Sequence, residues 1–164
     1  TSAILRTVVT QWIAPDPTTR ILEVGCGVGT LSLELARASA WLTGVDACRT
    51  AIEDARVNAK MAHVDNVNFR MGIAEKSLVR IFNGGAEFNR VVLHGMRRPF
   101  GERAMKVINR MAPTRIVYIG PSARSIADDL SSLPNYTIVR LGGLDQTPGT
   151  MTLLTVALLE RNED

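Results

Sequence analysis

The stretch ILEVGCGVGTLSLELA, from Ile21 to Ala36, decides the fold of this 164-residue chain. The apolar residues that open the stretch predict a buried strand, and those that close it recur with the period of a helix. Between strand and helix lies Gly25-x-Gly27-x-Gly29, which predicts a tight turn where a ligand can approach bare backbone. A strand, a glycine turn and a helix in this order are typical of the cofactor site of a doubly wound α/β fold.

Two acidic residues extend this predicted site. Asp46 ends the second predicted strand, about 20 residues after Gly25, where a doubly wound fold places an acid against a ribose diol. Glu23 lies at the mouth of the first strand, and an acid there suits a cationic cofactor better than a phosphate. The predicted cofactor-binding residues follow from these positions and from the ends of the third and fourth strands: Glu23, Gly25, Cys26, Gly27, Asp46, Ala74 and His94.

Apolar runs and helical periods alternate along the rest of the chain. The predicted strands are Arg20–Val24, Trp41–Val45, Val67–Met71, Arg90–Leu93, Arg115–Ile119, Tyr136–Leu141 and Met151–Leu159. The predicted helices are Ala3–Ile13, Leu31–Ala40, Arg49–Met61, Glu75–Ile81, Glu102–Met111 and Ser122–Leu130. This alternation predicts an α/β fold with a doubly wound, mostly parallel sheet of seven strands, and one domain over residues 1–164.

The last two predicted strands have no helix between them, so we expect the final strand pair to be antiparallel. Gly142, Gly143, Pro148 and Gly149 are assigned to the turn that joins them, because glycine and proline are typical turn residues.

The composition, 46% hydrophobic and 21% charged, is that of a globular protein and excludes a low-complexity chain. No apolar run approaches the roughly 20 residues that span a bilayer, and the first residues lack the pattern of a signal peptide. Cys26 and Cys48 cannot form a disulfide framework, and no Cys/His cluster has the spacing of a metal site. We expect an intracellular protein without a metal or a membrane partner, in the cytoplasm or an organelle matrix.

Positive charge is concentrated between residues 97 and 124. This segment contains seven basic residues and one acid, whereas the whole chain has a net charge of +3. Such a concentration can attract nucleic acid, although a solvated helix face has the same composition. The predicted RNA-binding residues are Arg97, Arg98, Arg103, Lys106 and Arg124, with Arg110 expected on the helix face of Arg103 and Lys106.

The glycine spacing is G-x-G-x-G and not the G-x-G-x-x-G of dinucleotide-binding proteins. With Glu23 before it, the pattern is similar to that of class I S-adenosylmethionine-dependent methyltransferases. Four segments resemble, more narrowly, the catalytic domain of the RNA (uracil-5-)-methyltransferases. They are CGVGTLSLELA (26–36), AIEDARVNAKMAHVDNVNF (51–69), RIVYIGPSARSIADDL (115–130) and TVALLER (155–161).

This likeness extends from about Thr7 to Arg161. It implies a Rossmann-like class I methyltransferase domain with S-adenosylmethionine as cofactor and RNA, such as rRNA or tRNA, as partner. In full-length members of the family the domain follows an RNA-binding region, which lies outside this sequence.

The family's catalytic residues are not matched. In that family a cysteine thiolate adds to uracil C6, and a carboxylate removes the C5 proton after methyl transfer. The resemblance places the nucleophile at Pro121 and the general base at Leu154. Ile73 stands where an acid is usual, and only Arg97 remains of the D-P-P-R motif, as His94-Gly95-Met96-Arg97. No catalytic residue of the family mechanism is therefore predicted, and we expect weakened cofactor binding.

Three functions are compatible with these residues. The favoured hypothesis is a non-catalytic module that binds RNA or takes part in ribonucleoprotein assembly. The second is an active S-adenosylmethionine-dependent methyltransferase that acts on another atom without a cysteine adduct, with His94 or the nucleophilicity of the substrate replacing the cysteine. His94 could equally be a cofactor contact or a satisfied polar residue at a strand end. The third is a small-molecule enzyme unrelated to RNA, which predicts that the basic residues do not gather at the ligand-binding edge of the sheet.

Overall fold

The computed structural model describes residues 2–95, 98–145 and 153–163. Its seven strands are β1 (Arg20–Val24), β2 (Trp41–Asp46), β3 (Val67–Met71), β4 (Arg90–His94), β5 (Arg115–Gly120), β6 (Tyr136–Asp145) and β7 (Leu153–Arg161). Its six helices are α1 (Ala3–Ile13), α2 (Thr30–Arg37), α3 (Arg49–Met61), α4 (Ala74–Asn83), α5 (Glu102–Met111) and α6 (Ala123–Leu130). Each predicted element is present in these ranges, with small differences at the ends.

All seven strands form one sheet in the order β3-β2-β1-β4-β5-β7-β6. Strands β1 to β5 are parallel, and β7 is inserted antiparallel between β5 and β6. The predicted mostly parallel sheet with an antiparallel final pair is therefore confirmed. The strand order reverses at β1, so the carboxyl ends of β1 and β4 flank the crevice where ligands bind in open α/β sheets.

Helices cover both faces of the sheet, because each buried strand presents apolar side chains to both sides. One face packs against α1, α2 and α3 through residues such as Val9, Leu35 and Ile52. The other face packs against α4, α5 and α6 through residues such as Leu78 and Met105. Of the helices in the described ranges, none combines the length and apolarity that crossing a bilayer demands.

The end of the sheet differs from the prediction. Gly142 and Gly143 are not turn residues but belong to β6, paired with Val156 and Thr155 of β7. A Cβ on Gly143 would lie 2.6 Å from the Leu153 side chain, so this glycine allows a close approach within the strand pair. Pro148, Gly149 and the predicted strand start at Met151 lie outside the described residues.

Helix α1 is fixed to the sheet at its carboxyl end by two arginines. The Arg90 guanidinium, at the start of β4, donates to the Ile13 carbonyl at 3.0 Å, and Arg115 donates to the Trp12 carbonyl at 3.2 Å. These bonds satisfy helix-terminal carbonyls that have no partner within the helix. The opposite end of α1 thereby reaches the carboxyl edge of the sheet, where Leu5 lines the cavity described next.

Candidate functional site

The glycine turn between β1 and α2 forms the floor of the candidate site. Gly25, Gly27 and Gly29 have φ of +83°, +54° and +81°, a region that residues with a Cβ rarely adopt. A Cβ on Gly25 would lie 2.9 Å from Cβ of His94, whereas a Cβ on Gly27 would meet nothing within 4 Å. The turn is therefore closely packed on its protein side and open at Gly27, where a ligand can reach the backbone.

Asp46, at the end of β2, ties this turn to the neighbouring strand. One carboxylate oxygen accepts a hydrogen bond from the Gly27 N–H at 2.8 Å, and the other accepts from the Cys48 N–H at 2.9 Å. The Asp46 side chain also lines the cavity above the turn. A carboxylate oxygen can accept more than one hydrogen bond, so Asp46 can hold the turn and still accept from a ligand hydroxyl.

A cavity of about 960 Å³ opens at the carboxyl edge of the sheet. That volume is at the upper end of the range for small-molecule sites in proteins. Its lining brings together most of the predicted cofactor-binding residues: Gly25, Cys26, Gly27, Asp46, Ala74 and His94. Ile73, at the position where the resembled family usually has an acid, also lines it and is 52% exposed.

Glu23 is the predicted residue that does not line this cavity. It lies one residue before the end of β1, as expected, but it is fully buried there and its carboxylate is not exposed to the cavity. Its carboxylate lies 3.0 Å from Nε2 of His94 and accepts a hydrogen bond from the Ser32 hydroxyl at 2.5 Å. A buried carboxylate is tolerated only with such partners, and Glu23 therefore contacts the cavity through His94.

The two thiols differ in environment. Burial, with a smaller contribution from the Glu23 and Asp46 carboxylates, raises the pKa of the Cys26 thiol well above its ordinary value. Cys26 therefore stays protonated and is a poor nucleophile. Cys48 is exposed before α3, where a hydrogen bond with the Thr50 hydroxyl lowers the pKa of its thiol. Cys48 does not line the cavity.

The positions matched to the family nucleophile and base meet at one edge of the sheet. The last residue pair between β5 and β7 is Gly120 with Thr155, so Pro121 and Leu154 follow next to each other at the carboxyl end of β5. Leu154 is 5% exposed and packs in the core, while Ser122 caps α6 by accepting from the Ser125 N–H. Neither Pro121 nor Leu154 carries a group that can form an adduct or exchange a proton.

The basic residues of the predicted RNA surface divide into two sets. Three of them interact with nearby side chains: Arg103 pairs with Glu75 at 3.0 Å, Lys106 pairs with Glu102, and the Arg110 guanidinium lies 4.6 Å from the centre of the Phe82 ring. Exposed pairs of this kind contribute little to stability, but the Glu75 and Glu102 carboxylates partly offset the positive potential of Arg103 and Lys106.

Arg98 and Arg124 form the second set. Both are exposed on segments that follow β4 and β5, and within the described ranges neither has an ion-pair partner. Arg98 also lines the cavity. Arg115 lies instead at the start of β5, at the opposite edge, where it pairs with Glu160. Arg97 lies outside the described residues.

One wall of the cavity was not foreseen from the sequence. Residues 98–101, between β4 and α5, close the side of the cavity next to His94. Asp129 of α6 holds this wall by accepting from the Phe100 and Gly101 N–H groups at 2.7 and 2.9 Å. Helical spacing places Asp129, three residues after Ile126, on the buried face of α6, but it does not predict the contact with residues 98–101.

The described residues contain no group of three or more His, Cys, Asp and Glu side chains that could hold a metal ion.

Comparison with known proteins bears on this arrangement. The family described as "Methyltransferase domain" matches residues 15–118. An uncharacterised RNA methyltransferase of Caldanaerobacter subterraneus is 31% identical over 86% of this chain and 32% of its own length. A 23S rRNA (uracil(1939)-C(5))-methyltransferase of Shewanella sp. is 31% identical over 92% of this chain and 33% of its own length.

A solved structure is also similar. The tRNA (uracil-54, C5)-methyltransferase of Pyrococcus abyssi, in complex with S-adenosyl-L-homocysteine, has a TM-score of 0.80 and 28% identity, and the match covers 95% of this chain and 37% of that one. The chain thus spans about a third of the length of these relatives.

Proposed function

The chain belongs to the methyltransferase domain family, and we propose that residues 1–164 form one such domain that binds S-adenosylmethionine in the cavity at the carboxyl edge of the sheet. The observation that carries this proposal is the hydrogen bond from the Gly27 N–H to Asp46, which joins the open glycine turn to an acid placed for a ribose diol. Ile73 and Ala74 provide an apolar wall for the adenine ring. When bound, the cofactor supplies a methyl group on a sulfonium ion.

The relatives named for uracil C5 methylation support RNA as the partner. We propose further that the domain is a non-catalytic module for RNA binding or ribonucleoprotein assembly. Uracil C5 methylation in the related family requires a thiolate nucleophile and a base, and the matched positions here are Pro121 and Leu154. Arg98, which lines the cavity, and Arg124, in the first turn of α6 after β5, are two exposed cations at the carboxyl edge of the sheet that can contact RNA phosphates.

RNA affinity should depend on the basic residues at this edge. Replacing Arg97 and Arg98, or Arg98 and Arg124, with alanine should weaken RNA binding across sequences and flatten its salt dependence, by about one unit of logarithmic slope for each phosphate that is no longer neutralised. Fluorescence anisotropy at several salt concentrations measures both effects.

Arg80 and Arg140 provide a matched control, because both are exposed arginines that do not line the cavity. Their double replacement with alanine should leave the slope unchanged. If the Arg98 and Arg124 variant binds RNA as tightly as the parent at low salt, these residues form only a solvated surface.

A second function is favoured by the contact between His94 and Glu23. If Nε2 of His94 donates its hydrogen bond to the Glu23 carboxylate, Nδ1 is the ring nitrogen that is left to accept a proton. A general base in this cavity could take the proton from a substrate nitrogen or oxygen as that atom accepts the methyl group. Such a transfer needs no cysteine adduct. Under this alternative the chain is an active methyltransferase on an atom other than uracil C5.

Transfer of radiolabelled methyl groups to cellular RNA distinguishes the two functions. The non-catalytic proposal predicts no incorporation above that of heat-inactivated protein. If the parent incorporates label, the alternative predicts that His94→Ala lowers the rate by about 10²–10⁴-fold, the usual contribution of a general base. His63→Ala is the control, because His63 is exposed beyond α3 and should have no effect.

A further inference from the structure

The wall formed by residues 98–101 separates two cavities. On one side it lines the proposed cofactor cavity, and on the other side Pro99 and Gly101 line a groove of about 610 Å³ between α5 and α6. The Phe100 side chain of this segment packs against the core, whereas Pro99 and Gly101 have a cavity on each side. Hydrogen bonds to the Phe100 and Gly101 N–H groups therefore add to that packing in fixing the backbone of the wall.

These hydrogen bonds converge on Asp129. The carboxylate is 2% exposed, and its two oxygens accept from the Phe100 and Gly101 N–H groups at 2.7 and 2.9 Å. The Tyr118 hydroxyl donates to Oδ2 of Asp129, the same oxygen that accepts from the Phe100 N–H group. No cation of the described residues pairs with Asp129, so backbone and hydroxyl donors compensate its burial.

Tyr118 fixes the carboxylate from the strand side. Burial, followed by the hydrogen bond to Asp129, raises the pKa of the Tyr118 hydroxyl well above its ordinary value, so the hydroxyl remains a donor. The Tyr118 ring also lies edge-to-face against Phe100, with 5.8 Å between ring centres, and a Cβ on Gly95 would come within 2.7 Å of the Tyr118 hydroxyl. Tyr118 therefore contacts both the start and the end of the segment that follows β4.

We propose that Asp129 is a positioning residue for the cofactor cavity. By binding two successive N–H groups, it holds residues 98–101 in the arrangement that completes the cavity wall, although it does not line that cavity itself. The inference rests on the proposed binding of S-adenosylmethionine. The affinity for the cofactor then depends on the Asp129 carboxylate, which lies on the other side of the wall from the cofactor cavity. Loosening the wall lowers the fraction of molecules with a complete cavity.

Calorimetry with S-adenosylhomocysteine tests this on Asp129→Asn, with Asp128→Asn as the matched control. Asp128 is the adjacent residue of the same helix, is exposed, and loses the same charge. Asp129→Asn should bind about tenfold more weakly, in line with a tenfold fall in the competent fraction, whereas Asp128→Asn should bind within about twofold of the parent. Hydrogen exchange should show faster exchange at the Phe100 and Gly101 amides in Asp129→Asn, with the Val92 amide unchanged.

A second variant covers the case in which Asp129→Asn fails to fold. Gly101 has φ of +89° and open space around its Cβ position, so Gly101→Ala strains the wall without a steric clash and should also weaken binding about tenfold. Parent-like affinity in Asp129→Asn or in Gly101→Ala contradicts the positioning role while leaving the proposed cofactor intact. A parent that binds no S-adenosylhomocysteine contradicts the proposed function itself, and the inference with it.

Discussion

Asp46→Ala should lower the affinity for S-adenosylmethionine by about tenfold to a hundredfold, because hydrogen bonds to a charged group contribute about 1.5–3 kcal/mol. The carboxylate acts twice in the proposed site. It accepts from the Gly27 N–H and so fixes the glycine turn, and it faces the cavity where we place the ribose of the cofactor. Alanine removes both contributions at once, and calorimetry on the purified domain measures the loss.

Asp54→Ala is the control for this experiment. Asp54 is an exposed aspartate of α3, outside the cavity lining, so its replacement removes the same charge without touching the glycine turn. We expect its affinity to stay within about twofold of the parent. Equal affinity in the parent and in Asp46→Ala would mean that the ribose is not bound at the end of β2, and the cofactor assignment would be wrong.

The sequence was sufficient to predict what depends on local periodicity and backbone conformation. The alternation of apolar runs with helical periods predicted all seven strands and their mostly parallel pairing. The glycine spacing predicted the turn after β1, because positive φ at Gly25, Gly27 and Gly29 is a property of the residues themselves. The position of Asp46 at the end of β2 could also be predicted, because the apolar run of a buried strand shows where the strand ends.

What depends on long-range packing could not be predicted. Glu23 was expected to contact the cofactor, but its carboxylate turns toward Ser32 and His94, which lie 9 and 71 residues further along the chain. Gly142 and Gly143 looked like turn residues, yet they extend β6, and the missing side chain of Gly143 accommodates Leu153 of the paired strand β7. The role of Asp129 depends on a contact with a loop 28 residues earlier, which leaves no signal in either segment.

The domain should form no covalent complex with RNA that contains 5-fluorouracil. In enzymes that use a cysteine adduct, fluorine at C5 cannot be removed as a proton is, so the protein stays attached to the base. Here the turn after β5 has Pro121 at the matched position, and the neighbouring strand has Leu154. Denaturing electrophoresis of the protein with labelled fluorinated RNA should therefore detect only free RNA.

Pro121→Cys is the matched variant, because it adds a thiol at the end of β5 and leaves the rest of the edge unchanged. A labelled band in this variant alone would mean that RNA reaches the turn and that the parent fails to form the adduct because it lacks the nucleophile; the base that Leu154 replaces acts only at the step that fluorine blocks, after the adduct has formed. Cys26 cannot act as the missing nucleophile, because burial keeps its thiol protonated. Cys48 lies outside the cavity. An adduct of the parent protein, mapped to Cys26 or Cys48, would overturn this argument and make uracil C5 methylation the function to test first.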